Sequence, residues 1–176
     1  MLRRFMKKRF VLPLAAVSVL ALAGGAYAYF SAQGNGTGSA SVGKSSPFTV
    51  GETGTPTGGP LYPDAAIGTG NIHTDNYTVT NPSSGNENLN KVVISIATAT
   101  GGTWSSQADP NEPACTAGDF SVGGQAVGHA WTDASLAQDF AAGASHSGTV
   151  TVQMIDDGAN QDNCQSVTVP LYFSAS

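Results

Sequence analysis

Apolar and polar positions alternate in residues 91–98 (KVVISIAT): Val92, Ile94 and Ile96 fall on one side, Val93, Ser95 and Ala97 on the other. This is the period of a half-buried strand. The alternation returns in residues 149–154, with Val150, Val152 and Met154 inward, and in residues 167–173, with Val167, Val169, Leu171 and Phe173 inward. Residues 77–80, 120–122 and 125–127 read as shorter strands, the last two joined by Gly123-Gly124, a connection suited to a tight hairpin. Asn81-Pro82-Ser83-Ser84-Gly85-Asn86 ends one strand and turns the chain into the next. Only residues 133–142 have room for a helical turn or two. Short strands with turn chemistry between them predict an all-β fold, a single Ig-like or jelly-roll antiparallel β-sandwich over residues 61–176.

The N-terminal third has a different pattern. Residues 10–30 (FVLPLAAVSVLALAGGAYAYF) form an uncharged apolar and small-residue run behind Arg3, Arg4, Lys7, Lys8 and Arg9. Basic head, apolar stretch and the small-residue exit Ala26-Tyr27-Ala28 make a signal peptide over residues 1–28, cleaved after Ala28. A retained membrane anchor over residues 10–30 is the competing reading, since their length just spans a bilayer; Pro13 and Gly24-Gly25 interrupt it. In both readings the basic flank stays inside and the rest is exported. Arg3-Arg4 is a residue out of step with a twin-arginine signal, so general secretion is expected. Residues 29–60, rich in Gly, Ser, Thr and Pro, read as a linker in which Ala40-Ser41-Val42 and Phe48-Thr49-Val50 offer short strands.

Residues Gly24 to Ser31, GGAYAYFS, resemble the leader junction of the TasA and camelysin group. The resemblance implies a secreted β-sandwich released by a dedicated signal peptidase and associated with biofilm matrix fibres. It covers about thirty residues, and Ala32 stands where the group carries an acidic residue. The chain has no HExxH or similar metalloprotease motif of the kind sometimes attributed to camelysin.

Charge narrows the functional classes. Only Lys44 and Lys91 follow the basic head, against twelve acidic residues, leaving −10 beyond it. Such a surface repels nucleic acid and anionic lipid. Charged residues are 11% of the chain, so small neutral polar groups must cover its surface, as in secreted β proteins. The two cysteines, Cys115 and Cys164, lie in the exported part, where oxidation is permitted. A bond between them closes a loop of about 49 residues, worth on the order of 4 kcal/mol.

Candidate chemistry is sparse. Asp156, Asp157, Asn160 and Asp162 place oxygen ligands on one turn, as Ca²⁺ requires, but without EF-hand spacing. They read as a solvated connection satisfying its own backbone. His73, His129 and His146 lack metal-ligand spacing and read as surface residues. Gly143-Ala144-Ser145-His146-Ser147 lacks the second glycine of a nucleophile elbow and precedes a strand instead of a helix. Trp104, Trp131, Tyr62 and Tyr77 offer flat faces for a sugar, with core packing the simpler use. Asn35-Gly36-Thr37 and Asn76-Tyr77-Thr78 match the N-glycosylation pattern, which means little behind a bacterial-looking leader. No cofactor or catalytic group is expected. The function expected is structural or adhesive at the cell surface or in the extracellular matrix, with self-association or matrix components as partners. The alternative is recognition of a glycan or protein partner.

Overall fold

The computed structural model describes residues 43–176; the leader, its junction and Ala40-Ser41-Val42 lie outside them. Eleven strands follow in order: β1 (Thr49–Glu52), β2 (Ile72–Thr80), β3 (Glu87–Leu89), β4 (Val92–Ile96), β5 (Ser105–Ser106), β6 (Cys115–Thr116), β7 (Phe120–Val122), β8 (Trp131–Asp133), β9 (Gln138–Phe140), β10 (Ser145–Met154) and β11 (Leu171–Ala175). Among the described residues, helix is confined to 3-10 turns at Ala117–Asp119 and Asp162–Cys164. None is long and apolar enough to cross a membrane.

The fold is an antiparallel β-sandwich. One sheet runs β1-β2-β10-β7, the other β11-β4-β8, with β3-β9 and β5-β6 as small pairs. The long β2–β10 ladder aligns Val79 with His146, Tyr77 with Gly148 and Asp75 with Val150. These positions face the second sheet, and the ring of Tyr77 reaches that of Phe173 on β11, 5.2 Å between centroids. Val92 and Ile94 of β4 and Val150 and Val152 of β10 are buried against one another's sheets, as their alternation predicts. Between the layers, Leu89 and Phe140 of the β3–β9 pair fill the remaining space, and Phe140 meets Phe48 edge-on at 5.3 Å. The opposite face of β2 and β10 carries hydroxyls without charge: Thr78 lies across from Ser147 and Thr80 from Ser145, the pairs 3.2 Å and 2.7 Å apart.

Several local expectations are corrected. β1 lies where Phe48-Thr49-Val50 offered a short strand within the expected linker: Val50 pairs with Val79 and packs on the core, so the described fold begins ahead of residue 61. Residues 125–127 do not return as a strand. Gly123 and Gly124 adopt the positive φ of 58° and 74° that a tight turn requires. Beyond it, however, Val127 is exposed, and the chain crosses to the other sheet as β8. Residues 133–142 hold no helix; the inward positions Asp133, Leu136 and Phe140 have helical spacing because a turn links β8 to β9. β11 begins only at Leu171, because Pro170 cannot donate to a ladder and Ser166 turns the chain at φ 58°.

Buried amides hold the long loops. Asn81 donates to Gly85 O at 2.8 Å and Ala141 O at 3.1 Å while its own oxygen accepts from Ser83 N at 2.9 Å. Asn163 accepts from Ala108 N and Asp109 N at 2.9 Å and 2.8 Å and donates to Pro113 O at 2.9 Å. Each amide ties together loops distant in sequence and removes the cost of burying their backbone groups.

Candidate functional site

A period of two, extended backward from Val79 and Tyr77, brings Asp75 and His73 to the inward face of β2. The neighbouring register, Val50 with Val79 and Glu52 with Tyr77, puts Glu52 on the same face of β1. At this end of the sandwich the sheets do not close on each other, and a cavity of about 390 Å³ lies between them. Leu61, Phe120, Val152, Met154 and Leu171 supply apolar walls; Glu52, His73 and Asp75 are its ionisable lining. The Nδ1 of His73 donates to Gly59 O at 3.0 Å, since a carbonyl can only accept. Its Nε2 approaches Asp75 Oδ1 at 3.3 Å. Asp75 is only 7% exposed.

Deeper in the core, the Tyr77 hydroxyl donates to Asp133 Oδ2, joining β2 to β8 across the two layers. Asp133 Oδ1 also accepts from Ser135 N at 2.7 Å. Burial, together with the adjacent carboxylate, pushes the phenol of Tyr77 well above the usual tyrosine range. Burial alone would raise Asp133 too, but the hydrogen bonds from Ser135 and Tyr77 outweigh it and hold the carboxyl below its ordinary value. The pair limits stability at both ends of the pH scale. The lowered carboxyl stabilises the fold above about pH 4, and that contribution is lost as pH falls through the folded-state value. The raised phenol stabilises it below about pH 10, and that contribution is lost as pH rises further. Chemical denaturation across pH is therefore expected to show an alkaline decline that is reduced in Tyr77→Phe; an identical decline in both would assign it elsewhere.

Two open hollows flank the sandwich. One, about 540 Å³, runs beside β10 and is lined by Trp131, Asn76, Asp133 and the hydroxyls of Ser147, Thr149 and Thr151. The other, about 790 Å³, lies between Tyr62 and the acidic turn. No family model, no curated protein and no solved structure matches this chain.

Cys115 and Cys164 are joined, with Cα atoms 4.9 Å apart. Asp119 lies beside them, but its oxygens accept from Thr116 N at 2.7 Å and Gln161 Nε2 at 2.9 Å. The sulfurs are consumed by the bond, so this group is a structural staple with a capped turn. The acidic turn satisfies itself: Asp156 Oδ1 accepts from Gly158 N at 2.8 Å, Asp157 Oδ1 from Ala159 N at 2.9 Å and Asn160 Oδ1 from Asp162 N at 2.8 Å. Asp162 Oδ1 accepts from Gln165 Nε2 at 2.8 Å. These four residues form successive local turns, and no three of their carboxylates converge.

His129 and His146 are exposed, as expected, whereas His73 is partly buried in the cavity wall. Trp104 packs near Phe120, ring centroids 6.2 Å apart. Trp131 is partly buried, its ring set against Gly123, where a Cβ would lie 2.2 Å from Cγ. Tyr77 is fully buried and offers no face to a sugar, while Tyr62 is 58% exposed. Ala26 and Ala28 lie outside the described residues. Sequence reasoning missed Glu52, His73 and Asp75 as a set. The available signal was polar residues at inward positions of a strand read as starting only at Tyr77.

Proposed function

We propose that this is a non-enzymatic exported protein of the cell surface or extracellular matrix, with a structural or adhesive role. One observation carries the reading: the four-stranded sheet is open to further contact. Among the described residues β1 ends it, with three of its four residues exposed, and the outer face of β2 and β10 presents paired hydroxyls without charge. An edge of this kind can pair with another chain. The basic and apolar leader, the GGAYAYFS junction and the Cys115–Cys164 bond support export to an oxidising compartment.

The mature chain, residues 29–176, is expected to form regular oligomers or fibres over days under oxidising conditions, followed by light scattering and electron microscopy. A persistent monomer would sink self-assembly. The hollow beside β10 favours a second reading, recognition of a neutral glycan, because it combines the Trp131 ring with amide, carboxylate and hydroxyl groups. In that case chito- or cello-oligosaccharides should change the tryptophan fluorescence of a monomer.

A further inference from the structure

We propose that the cavity between the sheets is a binding site for an alkylammonium group, an apolar stem ending in a primary ammonium, with Asp75 and Glu52 receiving the charge. The inward positions of β2 read His73, Asp75, Tyr77 and Val79, and a sandwich core calls for apolar side chains at all four. Burying a carboxylate is costly unless a charge or several donors meet it. Asp75 is 7% exposed, and among the described residues only the His73 ring meets its side chain, at one oxygen and 3.3 Å. The carboxylate lines the cavity.

Among the described residues, no lysine or arginine lines this cavity. Among the described residues the basic side chains are Lys44 and Lys91, and neither forms an ion pair. Glu52 adds a second carboxylate to the same cavity, so its ionisable lining is two acids and one imidazole, whose Nδ1 is already engaged by Gly59. That balance repels anions and favours a donor-only cationic head. Leu61, Phe120, Val152, Met154 and Leu171 line the same cavity and suit a hydrocarbon stem, which gains by leaving water. A volume of about 390 Å³ falls in the range of small-molecule sites. A metal ion is a poorer match, because hard divalent cations want six or more oxygens and this lining is mostly hydrocarbon. The ligand's source is either a free amine or the lysine side chain of a partner.

Titration calorimetry of the purified full chain with n-hexylamine tests the site, with 1-hexanol as the uncharged control and an acetylated, amidated lysine peptide as the second source. Hexylamine is expected to bind at least tenfold more tightly than hexanol and to raise the melting temperature. Asp75→Asn should weaken hexylamine at least tenfold and leave hexanol unchanged; Glu52→Gln, at an exposed position, should weaken it severalfold and serves if Asp75→Asn does not fold. Tighter binding of the peptide than of hexylamine assigns the site to a partner's lysine, and the reverse assigns it to a free amine. Equal affinity for hexylamine and hexanol, no binding of either amine at millimolar concentration, or unchanged hexylamine binding in a folded Asp75→Asn would each overturn the proposal. Occupancy is read by heat and assembly by particle size, so this site and the surface role stand or fall separately.

Discussion

Reducing the Cys115–Cys164 bond is expected to lower the melting temperature by well over ten degrees. The bond closes a loop 49 residues long, and a cross-link of that span removes about 4 kcal/mol of chain entropy from the unfolded state. At this domain size each kcal/mol moves the midpoint by a few degrees. The closed loop contains β7, β8, β9 and β10, so the bond restrains much of the sandwich, including both strands that flank the turn at Gly123-Gly124. Asn163, buried beside Cys164, holds residues 108–113 through its amide, which positions the cysteine but does not replace the covalent restraint. Thermal melts with and without reductant, and of Cys164→Ser, check this. Coincident melts would show that the two sulfurs are not bonded in solution.

Replacing Tyr77 by alanine should cost about 5 kcal/mol, enough to unfold a marginal domain. The side chain is fully buried, its ring fills the space above Gly148, where a Cβ would lie 2.4 Å from Cζ, and it stacks toward Phe173. Its loss opens a cavity between the layers and also strips Asp133 of a donor. A buried carboxylate short of a hydrogen bond adds about 1–3 kcal/mol. Tyr77→Phe separates the contributions: the ring stays, the donor goes, and a loss of about 1–3 kcal/mol is expected. Urea unfolding of the two variants measures both. Equal losses would mean that the hydroxyl, and not the ring, carries the stability.

The strands legible beforehand were those whose alternation is written in apolar residues. Val92, Ile94 and Ile96 of β4 and Val150, Val152 and Met154 of β10 announce their inward face because water rejects one side of a half-buried strand and not the other. The N-terminal half of β2 was illegible for the converse reason: Ile72-His73-Thr74-Asp75 carries polar groups where the core face should be apolar, and the two inward ones, His73 and Asp75, line the cavity. Two-residue strands such as β5 and β6 carry no period at all. Residues 133–142 misread as helix because two strands in different sheets, joined by a turn, reproduce helical spacing.

Local chemistry along the chain was therefore sufficient for the all-β class, for β4 and the inward face of β10, and for the pairing of its two cysteines, since each follows from short-range alternation, turn residues and a count of two. Strand order, the crossing from β7 to β8 and the Tyr77–Asp133 link needed the tertiary structure. So did the meeting of Glu52, His73 and Asp75 at one cavity. These depend on which strands become neighbours, and neighbours are chosen by packing two sheets into one core, where residues far apart in sequence share the same few cubic ångströms.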